Sequence, residues 1–296
     1  MKVSRRDFLK WCSASAVAMG LSKFDLQKLE DVVFAAEGMP PVIWLQGSGC
    51  SGCTISLLNS VETTTIDDIL LNKIDMQYHQ SIMTSASHLA TSELTDTAIQ
   101  YAGQFILIVE GAVPVADNGM NCVIGEKNDA PWTMYDAVRE LAAKAKYVIA
   151  AGTCASFGGV AKGGSNPTGI TQLNTVLNGL TMNEVINLPG CPVHPYTLTK
   201  TLIDLLLYGM PTLDSMDRPT EYYRNKIHGK CPNRGGNMVN ELGVVGCYKR
   251  IGCNGPSSVN NCPTMPWNNG TNWCIQANHI CIGCATPSFG TVDIYD

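Results

Sequence analysis

The chain has little with which to act on an organic substrate. Its 296 residues include only five histidines. They contain no Ser–His–Asp set and no carboxylate pair at catalytic spacing, which excludes the usual hydrolytic and acid–base machinery. Positive charge is not in excess either: 20 Lys/Arg stand against 25 Asp/Glu. That balance argues against nucleic acid or an anionic membrane surface as the partner. No apolar run near the C-terminus reaches the ~20 residues of a spanning helix, so no transmembrane helix of its own is expected. No internal repeat of constant period is present, which excludes a solenoid.

The N-terminus carries an address. Lys2, Arg5 and Arg6 form a positive region, and Ser4-Arg5-Arg6-Asp7-Phe8-Leu9-Lys10 is a twin-arginine pattern. Trp11 to Leu21 is apolar but too short to span a bilayer, and Val33-Phe34-Ala35 offers a signal-peptidase site, with cleavage after Ala36 as an alternative. Residues 1–35 are therefore expected to be a signal peptide that sends the folded chain to the periplasm. Removing them leaves 14 basic and 21 acidic residues, a more acidic protein.

From residue 41 to about 208, short apolar runs alternate with helical stretches. Strands are expected at 41–46 (PVIWLQ), 74–79, 104–110 (QFILIVE), 147–151 (YVIAA) and 184–188. Helices are expected near 54–60, 64–71, 91–102, 132–146, 170–178 and 196–208. Strands that are apolar throughout and separated by helices predict an α/β fold, a parallel sheet covered on both faces. Past residue 210 the periodicity fades. From His228 to Asp296, 32 of 69 residues are Gly, Asn, Pro or Cys, which calls for something other than an apolar core to order the segment.

Cysteine is what the chain has in quantity: 13 residues. Cys12 leaves with the signal, and Cys122 stands alone as a small apolar residue. The other eleven, with His228, form three groups of four. Cys50 and Cys53 (GSGCSGC) follow the first strand, Cys154 follows YVIAAGT, and Cys191 follows VINLPG. In parallel α/β sheets ligands gather beyond the carboxyl ends of the strands, so these three loops can bring four thiolates together. The second group is His228, Cys231, Cys247 and Cys253, and the third is Cys262, Cys274, Cys281 and Cys284. Four soft ligands per group suit iron–sulfur clusters, and the imidazole of His228 would raise the potential of its cluster.

Other readings of the same residues stand beside this one. An exported, cysteine-rich chain can carry disulfides, and a C-x-x-C can bind zinc. The stretch Gly47 to Gly52 also satisfies G-x-G-x-x-G after a strand, with Asp67 and Asp68 near the place of a ribose-binding acid. If Cys274 is not a ligand, the third group is left with three thiolates and a [3Fe–4S] centre. His79, His88, His194 and His279 are expected to be structural. His194, beside Cys191, is a candidate for tuning the first cluster through hydrogen bonds.

The segments PVIWLQGSGCSGC, GTCASFGG, LPGCPVHP, HGKCP, GCNGP, NNCP, NGTNWC and CIGC resemble the small subunit of periplasmic nickel–iron hydrogenases. The resemblance implies a flavodoxin-like domain (36–210) and a C-terminal domain (211–296) with little regular structure. It implies a proximal [4Fe–4S] cluster on Cys50, Cys53, Cys154 and Cys191. It also implies a medial one on Cys262, Cys274, Cys281 and Cys284, and a distal one on His228, Cys231, Cys247 and Cys253. Cys274 stands where the common form of the family has proline and a three-iron medial cluster, a feature similar to the nickel–iron–selenium branch. Oxygen-tolerant members have two extra cysteines at the positions of Gly52 and Gly159, so that specialisation is not expected. The partners implied are a large subunit that holds the nickel–iron or nickel–iron–selenium site and a cytochrome c type acceptor. The function implied is electron transfer in a periplasmic uptake hydrogenase. A free-standing ferredoxin-like carrier and a flavin- or nucleotide-binding redox protein are the rival functions.

Overall fold

The computed structural model describes residues 39–61 and 65–292. The signal-peptide expectation falls on residues outside these. Five strands, β1 (Pro41–Gln46), β2 (Asp75–His79), β3 (Ile106–Glu110), β7 (Tyr147–Ala151) and β9 (Ile186–Leu188), form one sheet in the order β2-β1-β3-β7-β9. Every pairing in it is parallel. Taken in chain order this is 2-1-3-4-5, the flavodoxin-like arrangement, with its switch point between β1 and β3.

The sheet is buried on both sides because its central strands β1, β3 and β7 are apolar at nearly every position. Alternate residues supply two separate cores. Ile43, Leu45, Leu107, Val109, Val148 and Ala150 pack under Leu94 and Ala98 of α3 (Ser87–Gln100) and Met134, Val138 and Leu141 of α4 (Met134–Ala142). Val42, Trp44, Ile106, Ile108 and Ile149 face the other way, against α1 (Gly52–Leu58), α2 (Ile66–Asn72) and α7 (Pro195–Tyr208). Pro195 occupies the first turn of α7, where its missing N–H costs nothing. The short helix α5 (Gly152–Phe157) follows β7 directly.

Strands β1 and β7 have the expected limits, and β2, β3 and β9 begin one or two residues later. Two regions differ from expectation. Residues 123–133 form a hairpin, β5 (Val123–Lys127) with β6 (Ala130–Thr133), before α4 begins. Helix α4 starts only at Met134 because Thr133 caps it, its hydroxyl accepting from Asp136 N–H at 3.1 Å. Residues 170–178, expected as helix, divide into a short strand β8 (Ile170–Thr171) paired with β4 (Val113–Pro114) and a single turn, α6 (Leu173–Val176). Gly169, at φ +64°, turns the chain into that pairing.

Residues 213–223 pack back onto the sheet edge. Asn187 N–H donates to Asp217 O at 2.8 Å, and Tyr223 OH donates to Pro189 O at 2.8 Å. Beyond them the helical elements among the described residues are 3₁₀ turns at Ile227–Lys230 and Tyr248–Ile251 and one irregular turn at Trp267–Gly270. Its small core is made of Ile227, Tyr248, Trp273, Ile275 and Ile280 together with Cys262 and Cys281. The ligand candidates are part of the packing here.

Candidate metal centres

The loops after β1, β7 and β9 converge at the carboxyl edge of the sheet. Cys50, Cys53, Cys154 and Cys191 all line one cavity there, with Gly52, Gly111, Gly152 and Gly190. The glycines are where backbone and sulfur come close. Gly152, at φ +85°, lies so near that an added Cβ would be 2.5 Å from Cys53 Sγ, and one at Gly159 would be 2.9 Å from Cys154 Sγ. Cys53 is buried, while Cys50 and Cys191 are exposed, so the cavity opens to the surface on one side.

A buried acid holds this edge together. Glu110, at the end of β3, accepts at Oε1 from Cys53 N–H at 2.8 Å and Thr54 N–H at 3.1 Å. Its Oε2 accepts from Trp44 Nε1–H at 2.9 Å and Gln46 Nε2–H at 3.2 Å, and also from the Thr54 hydroxyl. Two of the unsatisfied N–H groups at the start of α1 thus find a carboxylate. His79 stacks on Trp44 with ring centroids 5.2 Å apart and lies 3.3 Å from Thr54 Oγ1. Burial pushes its pKa down to about 4, against the smaller opposing pull of Glu110, so it is neutral at pH 7. The sequence reading missed Glu110. Its signal was an acid closing an otherwise apolar strand, where an unpartnered carboxylate would be too costly.

His228, Cys231, Cys247 and Cys253 line a second cavity, together with Asn233, Arg234, Lys249 and Ile275. Backbone bonds between loops set the spacing: His228 N–H to Gly255 O at 3.0 Å, Cys247 N–H to Asn237 O at 2.8 Å and Val239 N–H to Cys247 O at 3.1 Å. A third cavity is lined by Cys262, Cys274, Cys281 and Cys284, with Trp267, Trp273, Ile282, Cys191 and Pro192. Each of the three sequence groups is thus brought together whole around a cavity of its own, Cys274 included.

The cavities stand in a row. Cys191 and Pro192 line both the first and the third. Thr153 joins them as well, its hydroxyl accepting from Gly190 N–H at 2.8 Å and donating to Cys284 O. At the other end, Asn254, next to Cys253, donates its N–H to Cys281 O at 2.7 Å. Ile275 lines the second cavity and packs in the core around Cys262 and Cys281. The spatial order is therefore first, third, second.

The chemistry of the donor sets fits iron–sulfur clusters. The twelve cysteines of the described residues are all free, so the disulfide reading has no support among them. Burial, reinforced by neighbouring thiols, pushes the Cys262 thiol up to about 12 and the Cys284 thiol, by burial above all, up to about 11. Four thiolates crowded into a poorly solvated pocket repel one another, and bound cationic metal removes that cost. Among the described residues, no three of His, Cys, Asp and Glu converge tightly enough to hold one metal ion. A cubane spreads its four ligands over a wider shell than zinc does. Of the two acids a nucleotide site could use, Asp68 is engaged elsewhere, ion-paired with buried Lys73 at 2.7 Å.

The remaining candidates are placed plainly. Cys122 is half-buried against the main core. His194 does not line the first cavity. Its ring lies 4.6 Å from that of Trp267, and its Nε2 is 3.3 Å from Pro266 O, at the wall of the third. His279 Nδ1 is 3.1 Å from Ile280 O.

Comparison with known proteins agrees over nearly the whole chain. Residues 50–205 match the family described as NADH ubiquinone oxidoreductase, 20 Kd subunit, and residues 223–294 match the C-terminal family of the NiFe/NiFeSe hydrogenase small subunit. The periplasmic [NiFeSe] hydrogenase small subunit of Desulfomicrobium baculatum is 35% identical over 98% of this chain and 96% of its own length. The periplasmic [NiFe] hydrogenase small subunit 1 of Nitratidesulfovibrio vulgaris is 38% identical over 97% and 90%. The solved [NiFeSe] hydrogenase of Desulfovibrio vulgaris Hildenborough superposes with a TM-score of 0.80 at 37% identity, over 87% of this chain and 97% of that one. The chain belongs to the small-subunit family of the nickel–iron and nickel–iron–selenium hydrogenases.

Proposed function

We propose that this chain is the electron-transfer subunit of a periplasmic uptake hydrogenase. It would carry electrons from a large subunit that oxidises H₂ to an external cytochrome c type acceptor. The observation that carries the reading is the row of three cavities, each lined by four soft ligands and each sharing a wall or a backbone bond with the next. Iron–sulfur clusters, when bound, would supply one-electron carriers at closely spaced points.

Cys50, Cys53, Cys154 and Cys191 are assigned to the proximal [4Fe–4S] cluster. Cys262, Cys274, Cys281 and Cys284 are assigned to the medial [4Fe–4S] cluster, and His228, Cys231, Cys247 and Cys253 to the distal one. The chain's own residues do the rest. Glu110 fixes the C-x-x-C turn, Thr153 and Cys191 tie the proximal to the medial site, and Trp267 and Trp273 keep the medial site dry. Exposed Cys50 and Cys191 put the proximal site at the surface. Ile55, two residues after Cys53, is 56% exposed, and Val160, whose backbone N–H reaches Cys154, is 60% exposed. Apolar side chains bared around a cavity mouth fit a large, permanent interface, which supports the large subunit as the partner there.

Among the described residues no helix is long and apolar enough to cross a membrane. Together with the twin-arginine segment, this supports export of the folded protein to the periplasm. Residues 36–210 form the flavodoxin-like unit in this reading and 211–296 the cluster-bearing one.

Metal analysis of the complex purified without oxygen tests the proposal. About thirteen iron atoms per complex, twelve in the three clusters and one at the nickel–iron site, with nickel equimolar to the chain, are expected. Selenium equimolar to nickel would place it in the selenium branch. Iron without nickel would overturn the hydrogenase reading and leave a ferredoxin-like carrier.

A further inference from the structure

Charge is unevenly divided along this chain. Residues 36–223 hold eight Lys/Arg and 18 Asp/Glu, whereas residues 224–253 hold six Lys/Arg and one acid, Glu241. The second stretch folds around His228, Cys231, Cys247 and Cys253. Its cations, Arg224, Lys226, Lys230, Arg234, Lys249 and Arg250, are all exposed, and among the described residues none is in an ion pair. Arg234 and Lys249 line the cavity itself, and no acid does.

The same stretch bares apolar side chains. Val245 is 73% exposed, and Met238, Leu242 and Val244 are exposed as well. This loop is fastened to the site by Val239 N–H, which donates to Cys247 O at 3.1 Å. A small apolar patch among unpaired cations differs from the apolar surround of the proximal cavity. Permanent interfaces are depleted of charge at their centres, whereas charged rims steer brief encounters.

We infer that this face docks an acidic redox protein, a carrier with an excess of Asp/Glu around its own exposed cofactor edge. The inference rests on the proposed function, in which the His228 group is the exit. It deepens that reading by fixing the sign of the partner's charge. The chain as a whole is acidic and would repel such a carrier, so the local basic face also sets the orientation of approach.

The test uses the purified complex under hydrogen and one haem protein in two charge forms. The probes are native cytochrome c, which is basic, and the same cytochrome with its lysines succinylated, which is acidic. Each H₂ gives two protons and reduces two ferric cytochromes to ferrous. At about 0.01 M salt, where screening extends over about 30 Å, the acidic form should be reduced at least about tenfold faster than the basic one. At about 1 M salt the ratio should fall towards unity. The triple variant Arg234→Glu, Lys249→Glu, Arg250→Glu should reverse the low-salt preference, with iron content checked to show that its clusters are retained. The single variant Lys226→Glu should lower the ratio about twofold, as expected for one rim charge. A ratio near one at low salt, or faster reduction of the native form, overturns the inference. Loss of hydrogen-dependent reduction of a small viologen dye by the unmodified complex would instead overturn the function on which it rests.

Discussion

The two halves of the molecule gather their candidate ligands, one group of four in the first and two in the second, by opposite means. Around the proximal site the cysteines are guests of a scaffold that stands without them. Strands β1, β3 and β7 bury apolar side chains on both faces, and of the four thiols carried beyond the strand ends one, Cys53, belongs to the buried core. Around the medial and distal sites no comparable scaffold exists. Cys262 and Cys281 are members of the core, and Cys231, Cys253 and Cys274 pack against it. Residues 254–292 also carry no Lys, Arg, Asp or Glu. A sheet can hold an empty site open, whereas a segment whose core is its ligands depends on what those ligands bind.

Removing the iron puts that contrast under the greatest strain. On chelation, amide hydrogen exchange should speed up by orders of magnitude across residues 227–284 and stay slow in β1, β3 and β7. Equal deprotection of both halves would abolish the distinction drawn here. Single ligand changes should repeat it on a smaller scale. Cys53→Ser should abolish hydrogen-dependent dye reduction yet leave the sheet's melting transition in place, whereas Cys281→Ser should unfold the C-terminal segment. Cys274→Ala should leave a three-iron centre, seen as one iron fewer per chain and a new oxidised [3Fe–4S] electron paramagnetic resonance signal. An unchanged iron content would remove Cys274 from the ligand set.

Within the scaffold half, Glu110→Ala should cost about 3 kcal/mol, because Trp44 Nε1–H and the Cys53 and Thr54 N–H groups lose their acceptor in a buried site. Urea unfolding of the sheet domain would measure it. The smallest effect concerns pH. His79 is neutral in the fold down to about pH 4, but in the unfolded chain it takes up a proton near its ordinary 6.5. Stability should therefore decline as pH falls through that window, and His79→Gln should flatten the decline. A slope unchanged in the variant would mean that other groups control it.

What could be read from the chain differs between the halves for the same physical reason. PVIWLQ and YVIAA declare buried parallel strands because all but the closing Gln46 are apolar, and both occur with the limits their sequences imply. The hairpin at 123–133 and the broken helix at 170–178 were hidden. Their residues carry no clear period, and a capping Thr133 and a left-handed Gly169 decide the outcome. Glu110 was hidden as well, since five hydrogen bonds from Trp44, Gln46, Cys53 and Thr54 make its burial tolerable and none of them is local.

The sequence by itself determined the three groups of candidate ligands, because cysteines follow the ends of apolar strands or recur at short spacings, and a thiol's chemistry does not depend on its fold. The order of the three cavities was implied by the family resemblance but by no local pattern, and it is the tertiary contacts that set it. Chain order puts the His228 group between the other two. The close approach of Cys191 to the cavity of Cys284, and the bond from Asn254 to Cys281, put the Cys262 group in the middle. Contacts of that kind join residues far apart along the chain, and local pattern carries no record of them.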